Sequence, residues 1–374
     1  MASIPNGAKF RCAGAIDNWR AACDAFTLNH EVAATCDGVS ERSVGTMLDA
    51  LGAVDVITGG PPCQGFSTSG KRALDDPRNS LVKAFFGAVG MARPKAFLME
   101  NVSGFTTFQG GRILQEVLEL TRNLGYKPYP GIVLASLCGV PQRRRRFILV
   151  GLRSGSFVFP NAATVVDDQT LFTSTDSGVT VGSELIVDQR PGDGCEAWSF
   201  GDATSDLPSL AAGEQSFTYL CPPGNKYQAW VRTACGERLE EHAACRHSSS
   251  FVEMMSYIPQ GSSGLDPEVQ QRIPRHIRPK SGFANSYTRI RADEPSPTIT
   301  RNFTTPSSAN CIHPRENRAL TLREGARCQS FPDHYKFFGT HGDKRLMIGN
   351  AVPPLLARSL GLQLLSAISG NSGD

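Results

Sequence analysis

Between Val54 and Leu152 the chain alternates short apolar, β-branched runs with amphipathic segments of helical length, the pattern of repeated strand–helix–strand units. Residues 54–58 read as a strand, 80–91 as a helix and 95–100 as the next strand. Residues 112–124 read as a helix stopped by Gly125, and 146–151 as a further strand. Such a series predicts an α/β fold, an open and mostly parallel sheet with helices on both faces, where ligands bind beyond the carboxyl ends of the strands. From about Ser154 the periodicity fades into a stretch rich in Ser, Gly, Asp and Pro with short apolar runs only. It returns near the C-terminus, where residues 320–329 and 354–367 read as helices. Leu355, Leu356, Leu360, Leu364 and Leu365 lie close to one face of the second, which is expected to pack back on the sheet. Two units follow: residues 1–170 with 320–374 as the sheet domain, and 171–319 as a smaller, loop-rich domain.

Composition narrows the class. A chain of 374 residues with 40% hydrophobic and 20% charged positions can bury a sizeable core. Eleven cysteines, an odd number without a C-x-x-C pair, favour neither a zinc site nor a disulfide framework. No run approaches the roughly 18 apolar residues of a membrane span, and the start has no signal-peptide pattern, so a cytoplasmic, reducing location is expected. The net charge of +3 is too small to argue for or against nucleic acid.

The chemistry concentrates where the strands end. Cys63 follows two prolines in a loop that also holds Gly59, Gly60 and Gly65. Proline stiffens the approach and glycine lets the backbone pass near a ligand, so Cys63 is either a nucleophile or an ordinary buried cysteine. Glu100 closes the next strand; by itself it is equally a salt-bridged carboxylate.

Gly59-Gly-Pro-Pro-Cys-Gln-Gly-Phe-Ser67, Glu100-Asn-Val102, Gln142-Arg-Arg-Arg-Arg146 and Gly349-Asn-Ala-Val-Pro-Pro354 stand in the order and approximate spacing of cytosine carbon-5 DNA methyltransferases, which the chain resembles from about Asp17 to Leu365. The resemblance implies a Rossmann-like methyltransferase sheet with a target-recognition domain, S-adenosyl-L-methionine as cofactor and double-stranded DNA as partner, with no metal and no membrane. It implies that Cys63 attacks the base, that Glu100 contacts its ring nitrogen and amine, and that Arg144 and Arg146 occupy the family's Gln-x-Arg-x-Arg positions. In an extended segment those two share one face and Arg143 and Arg145 the other. Asp17 and Asp37 take the places of the cofactor's acidic contacts, although Asp17 also suits a helix cap, and Pro61, Leu81, Asn350 and Ala351 line the cofactor pocket. Gln64, Ser67, Ser69, Arg78 and Arg291 fall to DNA. In the variable region Trp230, Arg232, His247, Arg272, Arg275, His276, Arg278 and Lys280 are further candidates.

One family feature is absent. The strand and glycine-rich Phe-x-Gly-x-Gly loop that should precede Asp17 are not found, since Gly7 and Gly14 do not form them. The sheet is therefore expected to be N-terminally truncated, completed by an upstream segment or by a second polypeptide. Alternatives to a DNA cytosine-5 methyltransferase are a catalytically inactive DNA-binding fragment, one subunit of a split enzyme, and a tRNA cytosine-5 methyltransferase; the long variable region between Arg153 and Tyr287 favours DNA.

Overall fold

The computed structural model describes residues 9–62, 80–160, 174–181, 184–191, 197–283 and 285–369. It opens with β1 (Ala15–Asp17), α1 (Arg20–Asn29), β2 (Ala34–Cys36) and α2 (Glu41–Leu51), and β1 and β2 pair in parallel as a separate two-stranded sheet. Next come β3 (Val56–Gly59), α3 (Ser80–Ala92), β4 (Ala96–Val102), α4 (Arg112–Asn123), β5 (Lys127–Leu134), β6 (Arg145–Leu152), β7 (Ser174–Val181) and β8 (Glu184–Pro191). These strands form one six-stranded sheet in the order β3-β4-β6-β5-β8-β7. β3 is parallel to β4 and β5 to β8, whereas β6 is antiparallel to both neighbours and β7 to β8, so four of the six strands run one way.

The reversal at β6 has a local cause. A single helical turn, Ala135–Cys138, and a few further residues join β5 to β6, too short a connection for a parallel crossover. β5 is a strand that the hydrophobic pattern hides, because Pro128 and Pro130 interrupt it. Both prolines sit where β5 pairs with β6 alone; β8 joins only at Gly131 and Ile132, leaving an edge that tolerates missing N–H groups.

Strand alternation divides the core in two. Phe97, Met99, Phe147 and Leu149 point to one face, under Val82, Phe86 and Val89 of α3 and Ile113, Leu114 and Val117 of α4. Ala96, Ile148 and Val150 point to the other, where Leu355, Leu356, Leu360 and Leu364 pack from the C-terminal helix, α11 (Pro354–Ser369). By composition the stretch 341–369 is apolar enough to cross a bilayer, but those leucines spend their apolar face on the sheet.

The remaining elements are short: α5 (Phe200–Thr204), α6 (Lys226–Val231), α7 (Ser249–Ser256), α8 (Pro267–Arg272), β9 (Thr288–Arg289), β10 (Asn310–Ile312), α9 (Leu322–Cys328) and α10 (His341–Asn350). With so little regular structure, buried carbonyls need other donors. Arg289 supplies several, donating to the carbonyls of Met255, Ile258, His313 and Glu316 and to the side chain of Asn317. A second ionic centre ties α9 to its surroundings: Arg327 pairs with Asp206 and Asp333, Arg323 with Asp333, and Arg318 with Glu324 and Glu316. Burial alone would push Asp333 up, but Arg327 and Arg323, with the Arg327 and Tyr219 hydrogen bonds, hold it below the usual carboxylate range.

Candidate active site

The carboxyl ends of β3 and β4 lie side by side, with Gly59 opposite Met99 in the parallel register. The next residues on each strand, Gly60 and Glu100, are therefore neighbours. A Cβ on Gly60 would sit 3.2 Å from Glu100 Oε2, so glycine leaves the room that the carboxylate occupies. Across β4, Val102 is opposite Arg146 and Glu100 opposite Ile148, which sets Arg146 diagonally beside Glu100. Arg146 Nε meets Glu100 Oε1 at 2.8 Å, and both side chains are 13% exposed. Burial raises the Glu100 carboxyl above its ordinary value, while Arg146 and Arg144 pull it back. The Arg146 guanidinium is lowered by the same burial and supported by Glu100.

Asn101 faces the opposite way and does a different task. Its buried amide donates to the Pro61 carbonyl at 3.0 Å, while its Oδ1 accepts the Val102 N–H at 2.9 Å. The backbone two residues before Cys63 is thereby pinned to β4. Asn101 stands within the Glu100-Asn-Val102 motif but is absent from the residues singled out by sequence; an amide at a strand end, next to a carboxylate, was the available signal. Cys63, Gln64, Ser67, Ser69 and Arg78 lie outside the described residues.

Along 143–146 burial alternates as an extended segment requires: Arg143 and Arg145 are exposed, Arg144 is buried and Arg146 partly so. Arg144 and Arg146 nevertheless meet different partners. Arg144 donates to the carbonyls of Ile299 at 2.9 Å, Gly349 at 3.2 Å and Ala351 at 3.0 Å. Burial and the neighbouring Arg146 charge, opposed by Glu100, lower its guanidinium to about 9, which leaves it cationic at neutral pH. It thus fastens the start of β6 to the end of α10, where Gly349 passes so near Arg301 that an added Cβ would lie 2.5 Å from its backbone nitrogen. Gln142 completes the junction, donating to the Cys328 carbonyl and to Gln329 while accepting from Ile299 N–H. Asn350 is exposed at this corner and Ala351 half-buried.

Asp17 and Asp37 come together at the carboxyl ends of β1 and β2. Asp37 N–H donates to the Asp17 carbonyl at 3.0 Å, and both side chains are on exposed residues. Asp17 Oδ1 accepts the Trp19 N–H at 2.8 Å, so the carboxylate also steadies the entry to α1. Leu81 is exposed on the first turn of α3, and Pro61 is buried. Arg291 is exposed and paired with Asp293 and Glu294. In the loop-rich region Arg272, Arg275, His276 and Lys280 are exposed, whereas Arg232 pairs with Asp206 over the Tyr219 ring and Arg278 donates to the Ile273 carbonyl. Trp230 packs against the sheet core and His247 Nε2 accepts the Ala319 N–H. Among the described residues no cluster of three His, Cys, Asp or Glu is placed to hold a metal ion.

Comparison with known proteins gives this geometry a family. The model of C-5 cytosine-specific DNA methylases matches residues 5–366. The type II methyltransferase M.DdeI of Desulfomicrobium norvegicum is 35% identical over 368 residues, covering 92% of this chain and 80% of that protein. M1.HphI of Haemophilus parahaemolyticus is 34% identical over 311 residues, covering 82% and 67%. Among solved structures, a prophage-encoded DNA modification methyltransferase of E. coli superposes with a TM-score of 0.67 at 22% identity, over 95% of this chain and 92% of that one. The S. pombe Dnmt2 methyltransferase superposes with a TM-score of 0.53 at 18% identity, over 96% and 92%. The chain belongs to the C-5 cytosine-specific DNA methylase family.

Proposed function

We propose that this chain is a DNA cytosine-5 methyltransferase that adds a methyl group to a cytosine flipped out of a specific sequence, through a covalent adduct on Cys63. The observation that carries this reading is the half-buried Glu100–Arg146 pair, set against Gly60 and Pro61 at the end of β3, where the chain runs on to Cys63. Carbon 5 of cytosine is a poor nucleophile. Addition of the Cys63 thiolate to carbon 6 turns the ring into an enamine whose carbon 5 takes the methyl group, and loss of the carbon-5 proton to a base, with elimination of the thiolate, restores aromaticity. Glu100 assists at the ring nitrogen: its raised proton affinity lets it hold a proton there as charge develops, and Arg146 fixes the carboxyl's orientation. Asn101 holds the approach to Cys63, and Arg144 acts on the site by positioning the strand that bears Arg146.

S-adenosyl-L-methionine, when bound, supplies an electrophilic methyl group. Two exposed carboxylates at adjacent carboxyl ends of parallel strands fit its ribose and adenine end, with the apolar Leu81 and the corner at Asn350 and Ala351 as further contacts. The strand edges support a further proposal about a partner. Among the described residues β1 pairs with β2 alone and β3 with β4 alone, so each keeps an open edge. A further parallel strand ending in a glycine-rich loop, brought by a complementing polypeptide, would pair there and supply backbone donors to the cofactor's carboxylate. Ser69, Gln64, Ser67, Arg78 and Arg291, with exposed charges of the 171–319 region, are proposed to meet double-stranded DNA in the cytoplasm.

The test is covalent trapping. An oligonucleotide with 5-fluorocytosine at the target should become fixed to the chain in the presence of cofactor, because fluorine blocks the elimination that frees the thiol, and Cys63→Ser should abolish trapping while DNA binding persists. A chain that methylates DNA but forms no adduct has another mechanism.

A further inference from the structure

Two thiols meet beside the acidic pair. Cys23, buried on α1, donates its S–H to the Asp17 carbonyl at 3.1 Å, the same oxygen that accepts Asp37 N–H at 3.0 Å. Cys36 closes β2, directly before Asp37 and opposite Asp17 in the parallel register. Its side chain is exposed, and Cys23 Sγ lies 3.9 Å from the carbonyl of Thr35, the residue directly before Cys36. Cys23, Asp17, Cys36 and Asp37 are thus one connected group at the carboxyl ends of two strands. Cys138, Cys311 and Cys328, in contrast, are sealed in the core.

We propose that Cys23 and Cys36 are a modification site, closing reversibly to a disulfide under a peroxide oxidant and thereby weakening cofactor binding at Asp17 and Asp37. The disulfide stands on the placement of Cys23 against Asp17 and Thr35 and of Cys36 opposite Asp17; its effect on the cofactor rests on the functional reading above. Cys36 reacts first, because it is exposed, whereas burial and its neighbours push the Cys23 thiol up to about 11. The Cys36 thiolate attacks one peroxide oxygen, the O–O bond breaks, and the departing hydroxide takes up a proton as water, leaving Cys36 as a sulfenic acid. Cys23 sulfur then attacks Cys36 sulfur. The S–O bond breaks and a second water leaves with the Cys23 proton, so two thiols lose two electrons to one peroxide. Closure removes the S–H donor from the Asp17 carbonyl and draws the residue before Asp37 towards α1. The backbone that carries Asp17 and Asp37 is joined at that carbonyl, so the shift reaches both carboxylates.

The experiment uses the full chain and hydrogen peroxide, followed by alkylation and peptide mapping. Cys23 and Cys36 fall in a single tryptic peptide, residues 21–42. After oxidation this peptide should lose two hydrogens, take up no alkylating agent, and stay joined when cut after Phe26; dithiothreitol should reverse all three. In parallel, calorimetric titration with S-adenosylmethionine should show affinity about tenfold or more weaker in the oxidised chain. Dithiothreitol should restore it, and the exposed-site variant Cys36→Ser should show no such loss. Peptide 21–42 fully alkylated after peroxide treatment overturns the disulfide. A closed disulfide with unchanged affinity overturns its effect on the cofactor. A disulfide that forms in a chain whose reduced state binds no cofactor upholds the modification site and overturns the regulatory effect.

Discussion

Asn101 offers the sharpest handle on how the fold serves the chemistry. Its amide satisfies the carbonyl of Pro61, a buried residue, at 3.0 Å, two residues before Cys63. Asn101→Ala deletes that donor and leaves a carbonyl facing protein without a partner from this side chain. The static cost of such an orphaned group is about 1–3 kcal/mol. The chain can avoid most of it by letting the Pro61-Pro62 backbone move to water, and then the cost appears in kcat instead. A displacement of about 1 Å in a reacting group is worth about 100-fold in rate, or about 2.7 kcal/mol. The expected outcome is therefore a large fall in kcat for methyl transfer. Cofactor affinity should fall far less than the rate, because of the expected cofactor contacts only Pro61 is released, while Asp17 and Asp37 stand at the ends of other strands. Single-turnover methylation at saturating DNA, with cofactor binding measured separately, checks this. A variant with kcat within about threefold of the parent and no loss of stability would refute the argument that Asn101 places the nucleophile's loop.

Other perturbations test neighbouring parts of the structure. Burial raises the Glu100 carboxyl, so between the ordinary carboxylate range and its own higher value the folded chain keeps a proton that the unfolded chain has lost; its contribution to stability should fall as pH rises through that window. Denaturant titrations from about pH 4.3 upwards should show this slope, and Glu100→Gln should remove it. Asp333→Ala leaves the fully buried Arg323 without a carboxylate and takes one of two from the fully buried Arg327, and should cost about 3–5 kcal/mol of stability in equilibrium unfolding. Gly349→Ala forces a Cβ to within 2.5 Å of the Arg301 backbone nitrogen, with no flexible side chain to yield; thermal melts should show severe destabilisation, beyond the ordinary cost of a glycine replacement.

What was legible from sequence, and what was not, follows from the range of the interactions. The helices α3, α4 and α11 and the strands β3, β4 and β6 announce themselves because each repeats its apolar positions at the period of its own secondary structure, and each was expected within a few residues of its place. β5 was missed because Pro128 and Pro130 remove the alternation that identifies a strand, and only the register with β6 and β8 shows that no N–H was needed there. The alternation along 143–146 was readable, but not that Arg144 ends on the carbonyls of Ile299, Gly349 and Ala351, each more than 150 residues away.

The buried arginines of the C-terminal half carry that argument furthest. Arg318, Arg323 and Arg327 lie within α9 or just before it, where a local reading assigns charge to solvent. In the fold all three are fully buried, and Arg327 meets Asp206 across 121 positions. A helix of seven residues with a charged sequence is stable in that position because carboxylates meet these arginines, Glu324 from the helix itself, Glu316 and Asp333 from just outside it and Asp206 from far along the chain. The loop-rich half is thus held by buried polar contacts, some between near neighbours and some distant, with Arg289 gathering carbonyls from both 255–258 and 313–316. Such pairs leave no periodic trace, so the region reads as featureless until its partners are brought together. The same property frees its surface, since exposed residues such as Arg272 and Arg275 can change without disturbing the buried pairs that hold the backbone.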